Sequence, residues 1–380
     1  MTVVHVLGTH GVPAAYGGFE TAAQEVGLFL RDRGWDVHVY CQLPGEGPTT
    51  TDEWHGLTRV NVHEPREGWR GTAAFDLTCV RRVLAEAGPD DVCLTFGYNT
   101  GVFNVAQRLR RIPNVINMDG MEWTRRRWGV LRQGILLANE RFAGLVGDVI
   151  VADHPVIAQY LRRHFGASRV DTITYGAHPV DAAPTAPVEA LGLTPGGYAT
   201  MVCRPIPENS CLEIVRAWSA RPRGIPLVVL GTYQDDDPYH REVRAAAGDE
   251  VLFLGAIHDP EVVGSLRRHA RMYLHGHTVG GTNPSLVEAM AAANPIVAHR
   301  NKYNTWVAGD GALYFSDEVE LDAHLGATLD APEVLRDMGR TVRDRFDSEF
   351  TWERIGSQYE QALLRAMARR GKGRKARISR

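Results

Sequence analysis

Cysteine is scarce. The five thiols, Cys41, Cys79, Cys93, Cys203 and Cys211, are odd in number, scattered and mostly set in apolar runs. That pattern excludes a disulfide framework and reads as reduced core thiols of a cytoplasmic protein. Neither Cys-x-x-Cys nor His-x-x-x-His occurs, so no structural metal is expected. No apolar run approaches the roughly 20 residues that span a bilayer. Met1-Thr2-Val3-Val4-His5 enters a strand-like run with no basic or apolar leader pattern, so no signal peptide is expected. Charge of one sign is also missing: the formal net charge is -3, which argues against a nucleic-acid partner drawn by bulk charge. What remains is an ordinary globular composition, 44% hydrophobic and 23% charged. At 380 residues the chain is too long for one typical core, and two domains are expected.

Strand-like and helix-like segments alternate. Strands are expected at 3–7, 36–41, 59–62, 92–96, 115–117, 149–152 and 172–175, with helices at 22–33, 75–86, 102–110, 132–145 and 156–165. Alternation of this kind builds a doubly wound parallel sheet. Residues 179–197, rich in Pro, Ala and Gly, read as a linker. The pattern then restarts, with strands at 198–203, 226–230, 251–254, 272–275, 296–298 and 313–315 and helices at 212–220, 260–269 and 285–293. The expected organisation is a first Rossmann-like domain (1–178), the linker (179–197), a second Rossmann-like domain (198–350), a C-terminal helix packing back on the first domain (351–369) and a basic tail (370–380). The tail is either solvated or drawn to anionic lipid, which would make the protein peripheral at a membrane.

Two strand–glycine loop–helix units stand out. In the second, Gly276-His277-Thr278-Val279-Gly280-Gly281-Thr282-Asn283-Pro284-Ser285-Leu286-Val287-Glu288 follows the strand at 272–275. Pro284 suits a first helical turn and Asn283 suits its N-cap. Gly280 and Gly281 let backbone come close to a ligand, and a helix start of this kind favours an anion. Glu288, a turn further in, has the reach to accept hydrogen bonds from a sugar diol. The first unit, Gly8 to Thr21, carries His10, Gly17, Gly18 and Glu20. Its glycine spacing is not the dinucleotide fingerprint. Asp119 and Glu122 follow the strand at 115–117, at a carboxyl edge, and read either as functional acids or as a cap and a solvated acid. Trp123 and Trp128 are sugar-stacking candidates or core aromatics. Arg125-Arg126-Arg127 is a phosphate or membrane contact or a solvated patch. His10, His275 and His277 rank as further candidates beside the loops.

Four stretches together resemble one family: Gly8 to Thr21, Asn117 to Trp128, Arg204-Pro-Ile-Pro-Glu-Asn209, and His275 to Met290. The chain is similar to GT-B glycosyltransferases of glycosyltransferase family 4, in the rhamnosyltransferase-like branch. The resemblance implies an α/β GT-B fold, two Rossmann-like doubly wound parallel-sheet domains facing a central cleft. It implies retaining transfer of a sugar from a nucleotide-diphospho-sugar to a hydroxyl acceptor, without metal or other cofactor. That acceptor would be lipid-linked in polysaccharide or glycolipid assembly, or a secondary metabolite. Gly17 and Gly18 match the pair that closes over the donor diphosphate, and Arg204 matches the arginine that neutralises it. Gly280, Gly281, Thr282, Asn283, Ser285 and Leu286 match the loop that meets phosphate and donor sugar, and Glu288 matches the ribose-holding carboxylate. The resemblance makes 1–178 the acceptor-side domain and 198–350 the donor domain, and it puts Asp119 and Glu122 in the acceptor region, where either would position or deprotonate an acceptor hydroxyl.

Two positions depart from the wider family. Where it has a glutamate eight residues before the second one, this chain has Gly280; where it has a lysine five residues after its arginine, this chain has Asn209, after Glu208. Both fit the rhamnosyltransferase-like branch and suggest a donor deoxysugar such as rhamnose. The chemistry suits the residues. A departing diphosphate gains negative charge, and preorganised cations and amides aimed at it are the main source of rate. Two other readings share the architecture: a nucleotide-sugar 2-epimerase, whose carboxylate and histidine set does not assemble here by spacing, and a binding protein without turnover.

Overall fold

The computed structural model describes residues 2–14, 17–124 and 129–378, with side chains only as far as Arg370. Tyr16, Arg125-Arg126-Arg127, Trp128 and the side chains of nearly all the basic tail lie outside the described residues. The chain divides into two compact units, one of Met1–Tyr175 with Trp352–Arg380 and one of Gly176–Thr351.

The first unit holds strands β1 (Val3–Leu7), β2 (Asp36–Pro44), β3 (Thr50–Trp54), β4 (Leu57–Glu64), β5 (Val92–Phe96), β6 (Asn114–Asn117), β7 (Val149–Ala152) and β8 (Val170–Thr172). Their order in the sheet is β3-β4-β2-β1-β5-β6-β7-β8, parallel except for β3. Val92-Cys-Leu-Thr-Phe96 is buried at every position because both faces of the sheet are covered. Val92, Leu94 and Phe96 join a core with the helices Gly18–Asp32 and Trp352–Ile378, while Cys93 packs with Phe75 and Val83 on the other face. The C-terminal helix contributes Tyr359, Ala362, Leu363 and Ala366 to that core and continues to Ile378 rather than stopping at 369. β3 has no apolar alternation and was not anticipated. It is an exposed edge joined to β4 by His55-Gly56, whose φ values of 48° and 77° suit a two-residue hairpin turn.

The second unit is a six-stranded parallel sheet of β9 (Ala199–Val202), β10 (Leu227–Leu230), β11 (Val251–Gly255), β12 (Met272–His275), β13 (Ile296–His299) and β14 (Leu313–Phe315), ordered β11-β10-β9-β12-β13-β14. Residues 179–197 are not a free linker but part of this unit. They include the helix Ala186–Ala190, bury Val188 and Leu193, and offer the carbonyls of Asp181 and Ala183 to Arg268 Nε and His269 Nε2 at 3.3 and 2.9 Å. Helices at Pro238–Ala245 and Lys302–Ala308, capped by Asp237 and Asn301, add to those anticipated.

Each sheet reverses its strand order once at its centre, between β1 and β5 and between β9 and β12. Loops leaving the carboxyl ends of strands at such a switch point diverge and leave a crevice, which is where open α/β sheets bind ligands. The two glycine loops, Arg204 and the loop after β5 all leave those four strands.

Candidate active site

In the second unit two loops are clamped together. The turn Pro207–Asn209 after β9 presents the Glu208 carbonyl to Thr278, whose N–H and Oγ1 both donate to it at 2.9 Å. Asn209 is buried and donates from Nδ2 to the Arg204 carbonyl at 2.8 Å. Its own carbonyl passes so close to Gly276 that a Cβ there would sit 2.1 Å away. Asn209 therefore braces backbone, where the wider family was expected to place a lysine. The result holds the Arg204 turn against the β12 glycine loop. Arg204 itself is exposed and makes no ion pair among the described residues.

The helix Pro284–Ala291 starts as expected, with Asn283 Oδ1 accepting from Ser285 N–H at 3.0 Å and from Ser285 Oγ at 2.9 Å. The Leu286 amide donates to the Asn283 carbonyl at 3.1 Å, and the Leu286 side chain lies in the core. Neither the Ser285 nor the Leu286 amide is spare, so an anion contact falls to the loop ahead of the helix. Thr282 in that loop is buried and Gly281 half-buried. Gly280 has φ +125°, a conformation side chains rarely adopt, with open space where a Cβ would stand. A glutamate at this position would be strained in the loop's present conformation.

Glu288 meets a residue the sequence did not point to. Its Oε2 lies 2.5 Å from Nη2 of Arg267, a buried arginine on the helix Pro260–Arg268. An arginine in the last turn of an amphipathic helix reads as solvated, and only the fold turns it inward.

His275 is buried, with neither ring nitrogen hydrogen-bonded to a described residue. Burial, reinforced by the neighbouring His277 and His299, holds its pKa well below that of a free imidazole, so the ring is neutral. His277 stacks on it at 4.4 Å and 12°, and the His277 carbonyl is held by Nδ2 of Asn301 and Asn304 at 2.9 and 2.8 Å. His275 is a packed ring and not a cation for a phosphate. Two of the scattered cysteines also meet here: Cys203 and Cys211 are free thiols 3.4 Å apart, flanking the Arg204 turn.

In the first unit, helix Gly18–Asp32 begins a turn earlier than expected, directly from Gly17 as N-cap. Glu20 is buried, and its Oε1 accepts from the His10 N–H at 2.9 Å, while Gln24 Oε1 accepts from Ala14 N–H at 2.9 Å. Glu20 thereby ties the glycine loop to the helix. Asp119 is half-buried with φ +51°, and its N–H donates to Asn117 Oδ1 at 2.8 Å. Asn117 Nδ2 in turn donates to Tyr359 of the C-terminal helix at 2.7 Å. The Glu122 N–H donates to the buried Tyr98 hydroxyl at 2.8 Å. Trp123 is anchored by Nε1 to buried Glu140 at 2.8 Å. Glu20, Asp119 and Asp153 follow β1, β6 and β7 at the carboxyl edge of the sheet, and their charges add to burial in raising the Tyr175 pKa. Asp76, which the sequence did not single out, joins the same edge. It accepts from Thr100 Oγ1 at 2.7 Å, and burial pushes its pKa up to about 6 against the opposing pull of Thr100 and His10. A carboxyl titrating there suits proton transfer near neutrality.

Among the described residues no three His, Cys, Asp or Glu side chains converge as a metal site, and no helix is long and apolar enough to cross a membrane. By sequence, residues 1–178 match the family model of a domain of unknown function, DUF1972. Residues 210–361 match the glycosyl transferase-like model. None of the curated proteins matches the chain. Sucrose-phosphate synthase from Thermosynechococcus elongatus superposes with a TM-score of 0.81 over 97% of this chain and 100% of that one, at 18% identity. The fold is GT-B. Anabaena HepE in complex with UDP gives 0.75 over 96% and 100% at 14% identity, and trehalose-6-phosphate synthase OtsA gives 0.75 over 96% and 99% at 13%. In GT-B terms Arg204, the β12 loop and Glu288 all belong to the second unit, within or beside the glycosyl transferase-like region, and Asp119, Glu122 and Asp76 to the first.

Proposed function

We propose that the chain is a retaining, metal-independent glycosyltransferase of the rhamnosyltransferase-like branch of family 4. It moves a sugar from a nucleotide-diphospho-sugar to a hydroxyl acceptor. The observation that carries this is the exposed Arg204 at the β9–β12 switch point, ahead of a turn whose Glu208 carbonyl is clamped to the glycine loop that leads to Glu288. Arg204 and the loop amides take up the charge of the leaving diphosphate, and Glu288 meets the nucleoside sugar. The glycosyl transferase-like match supports the reading, as does HepE, which was solved with UDP-glucose. The positive φ and empty space at Gly280 support a donor lacking the hydroxyl that the missing glutamate would hold, a deoxysugar such as rhamnose. A thermal-shift panel with UDP, dTDP, GDP and ADP tests it. A nucleoside diphosphate that binds only the folded state adds about 2.7 kcal/mol of stability at a hundredfold excess over Kd and so raises the melting temperature. A shift with one of the four is expected, and its sugar nucleotide should then be consumed only with an acceptor. Conversion of the donor sugar alone would instead identify an epimerase.

The acceptor is lipid-linked in this reading, at an anionic membrane surface in polysaccharide or glycolipid assembly. Helix Val130–Val146 leaves Leu131, Ile135, Phe142 and Leu145 exposed at positions that share one face. The adjoining helix Asn104–Arg110 exposes Leu109, and the two elements with Arg111 present Arg108, Arg110, Arg111 and Arg132. Their single acid, Glu140, is buried. Apolar side chains flanked by cations and no exposed acid suit anionic lipid. Co-sedimentation with vesicles containing phosphatidylglycerol is expected, with little on phosphatidylcholine alone and loss in Leu131→Ser/Ile135→Ser. Equal binding by that variant, or a concentration-dependent dimer that the variant dissolves, would overturn the lipid assignment.

A further inference from the structure

The Arg204 turn is bracketed by two thiols. Cys203 follows β9 directly, Cys211 opens the helix Cys211–Ser219, and their Sγ atoms lie 3.4 Å apart as a hydrogen-bonded pair. Cys203 is half-buried and Arg204 beside it is exposed, which leaves the pair one residue from solvent, while Cys211 is buried. The hydrogen bond they share holds the Cys211 thiol below its ordinary pKa, and the same bond, with burial, pushes Cys203 well above its own. Cys211 is therefore the sulfur with thiolate character, and Cys203 keeps the proton between them. Both ends are anchored. The Cys203 N–H donates to the Leu230 carbonyl at 3.2 Å, and its own carbonyl lies so close to Gly231 that a Cβ there would sit 2.4 Å away. Cys211 joins Ile214 and Trp218 in the core of the second unit.

We propose that Cys203 and Cys211 are a peroxide-sensitive dithiol whose reversible disulfide displaces the Arg204 turn and lowers transfer. The effect on transfer rests on the reading of Arg204 as the cation that meets the leaving diphosphate. Cys203 attacks one peroxide oxygen as its proton passes to the Cys211 thiolate. An S–O bond forms, the O–O bond breaks, and hydroxide leaves to become water with a proton from solvent. The Cys211 sulfur then attacks the Cys203 sulfenic sulfur. The S–S bond forms, the S–O bond breaks, and the oxygen departs as water with the Cys211 proton. Two thiols lose two electrons, and one peroxide becomes two waters. Bonded sulfurs stand about 2.05 Å apart, so the pair closes by roughly 1.3 Å from its present 3.4 Å. With Cys203 held at the sheet, the movement falls on Cys211 and on Ser210 ahead of it, a joint already in the left-handed region at φ +47°. Cys211 Sγ lies 3.8 Å from the Arg204 carbonyl, the atom that Asn209 Nδ2 holds at 2.8 Å, so the displacement reaches the turn that carries Arg204 and the Glu208 carbonyl clamped to Thr278. A misplacement of about 1 Å at a positioned group can cost about a hundredfold in rate.

The test exposes the fully reduced chain to hydrogen peroxide and follows intact mass, linked peptides and sugar transfer. The expected result is the loss of two hydrogens, a peptide joining Cys203 to Cys211, and transfer lower by about tenfold to a hundredfold, all reversed by dithiothreitol. Cys203→Ala/Cys211→Ala removes both sulfurs and keeps Cys41, Cys79 and Cys93. It should hold its own untreated rate through the same exposure, and Cys203→Ser takes its place if the double variant melts early. Loss of rate in that control would place the sensitivity elsewhere and overturn the proposal. Sulfinic acid at either position in place of the link, or a link that leaves transfer unchanged, would overturn it as well. No transfer by the reduced chain would remove the glycosyltransferase reading and the consequence drawn for Arg204 with it, and the two failures are told apart because the link is read by mass whether or not sugar moves.

Discussion

Arg204→Ala is expected to lower sugar transfer by about 10²–10³-fold, the range seen when one preorganised donor to a developing charge is removed. The fold should hardly register the change. Arg204 is exposed and makes no ion pair among the described residues, so nothing buried loses a partner. Substitutions of that kind stay within about 0.5 kcal/mol. The turn around it is held by backbone and by Asn209, whose Nδ2 bonds the Arg204 carbonyl, an atom alanine keeps. Arg204→Lys should recover part of the rate, because a lysine keeps the charge but not the planar fork that matches phosphate oxygens. Steady-state transfer and thermal melting on the same preparations check the prediction. Near-normal turnover in the alanine variant would place the leaving-group cation elsewhere.

Glu288→Ala is expected to fail in two separable ways. Transfer falls because the nucleoside sugar loses its acceptor. Stability falls because Arg267 is left as a buried cation without its partner. Breaking a fully buried pair costs about 3–5 kcal/mol, and the partial exposure of Glu288 brings the expectation down to about 2 kcal/mol. For a unit of this size that is a melting-temperature loss of about 4–8 °C. The double variant Glu288→Ala/Arg267→Met should recover most of the stability, since it removes the stranded charge, and none of the transfer. Circular dichroism melts alongside donor consumption distinguish the two effects. Wild-type transfer by the double variant would exclude Glu288 from donor binding, whatever happens to the melt.

The alternation that builds both sheets was legible because it comes from local physics. Short, mostly apolar runs such as Val92 to Phe96, bounded by turn residues, read as covered strands by their length. The start of the helix at Pro284 was legible for the same reason, since Asn283 caps it from one residue away. β3 was not, because an exposed edge strand carries no burial pattern. The segment 179–197 looked like a linker by composition, yet Arg268 and His269, more than 80 residues away, pull it into the second unit.

The candidate site divides along the same line. Sequence alone determined where chemistry is placed along the chain: glycines and caps after particular strands, Arg204 after one of them and Glu288 one turn into a helix. These are matters of neighbours in sequence. Which of those residues are spare for a ligand was decided only by tertiary structure, because burial and pairing come from distant segments. Leu286 went into the core, His275 was stripped of charge by burial, Glu20 became a brace for the glycine loop, and Cys203 and Cys211 were brought within 3.4 Å. Asp76 was carried to the sheet edge beside Thr100, and Arg267, an unremarkable helical arginine in sequence, was turned inward onto Glu288. An ion pair has no periodicity to announce it. It exists only once the fold has brought the two helices within reach of one another.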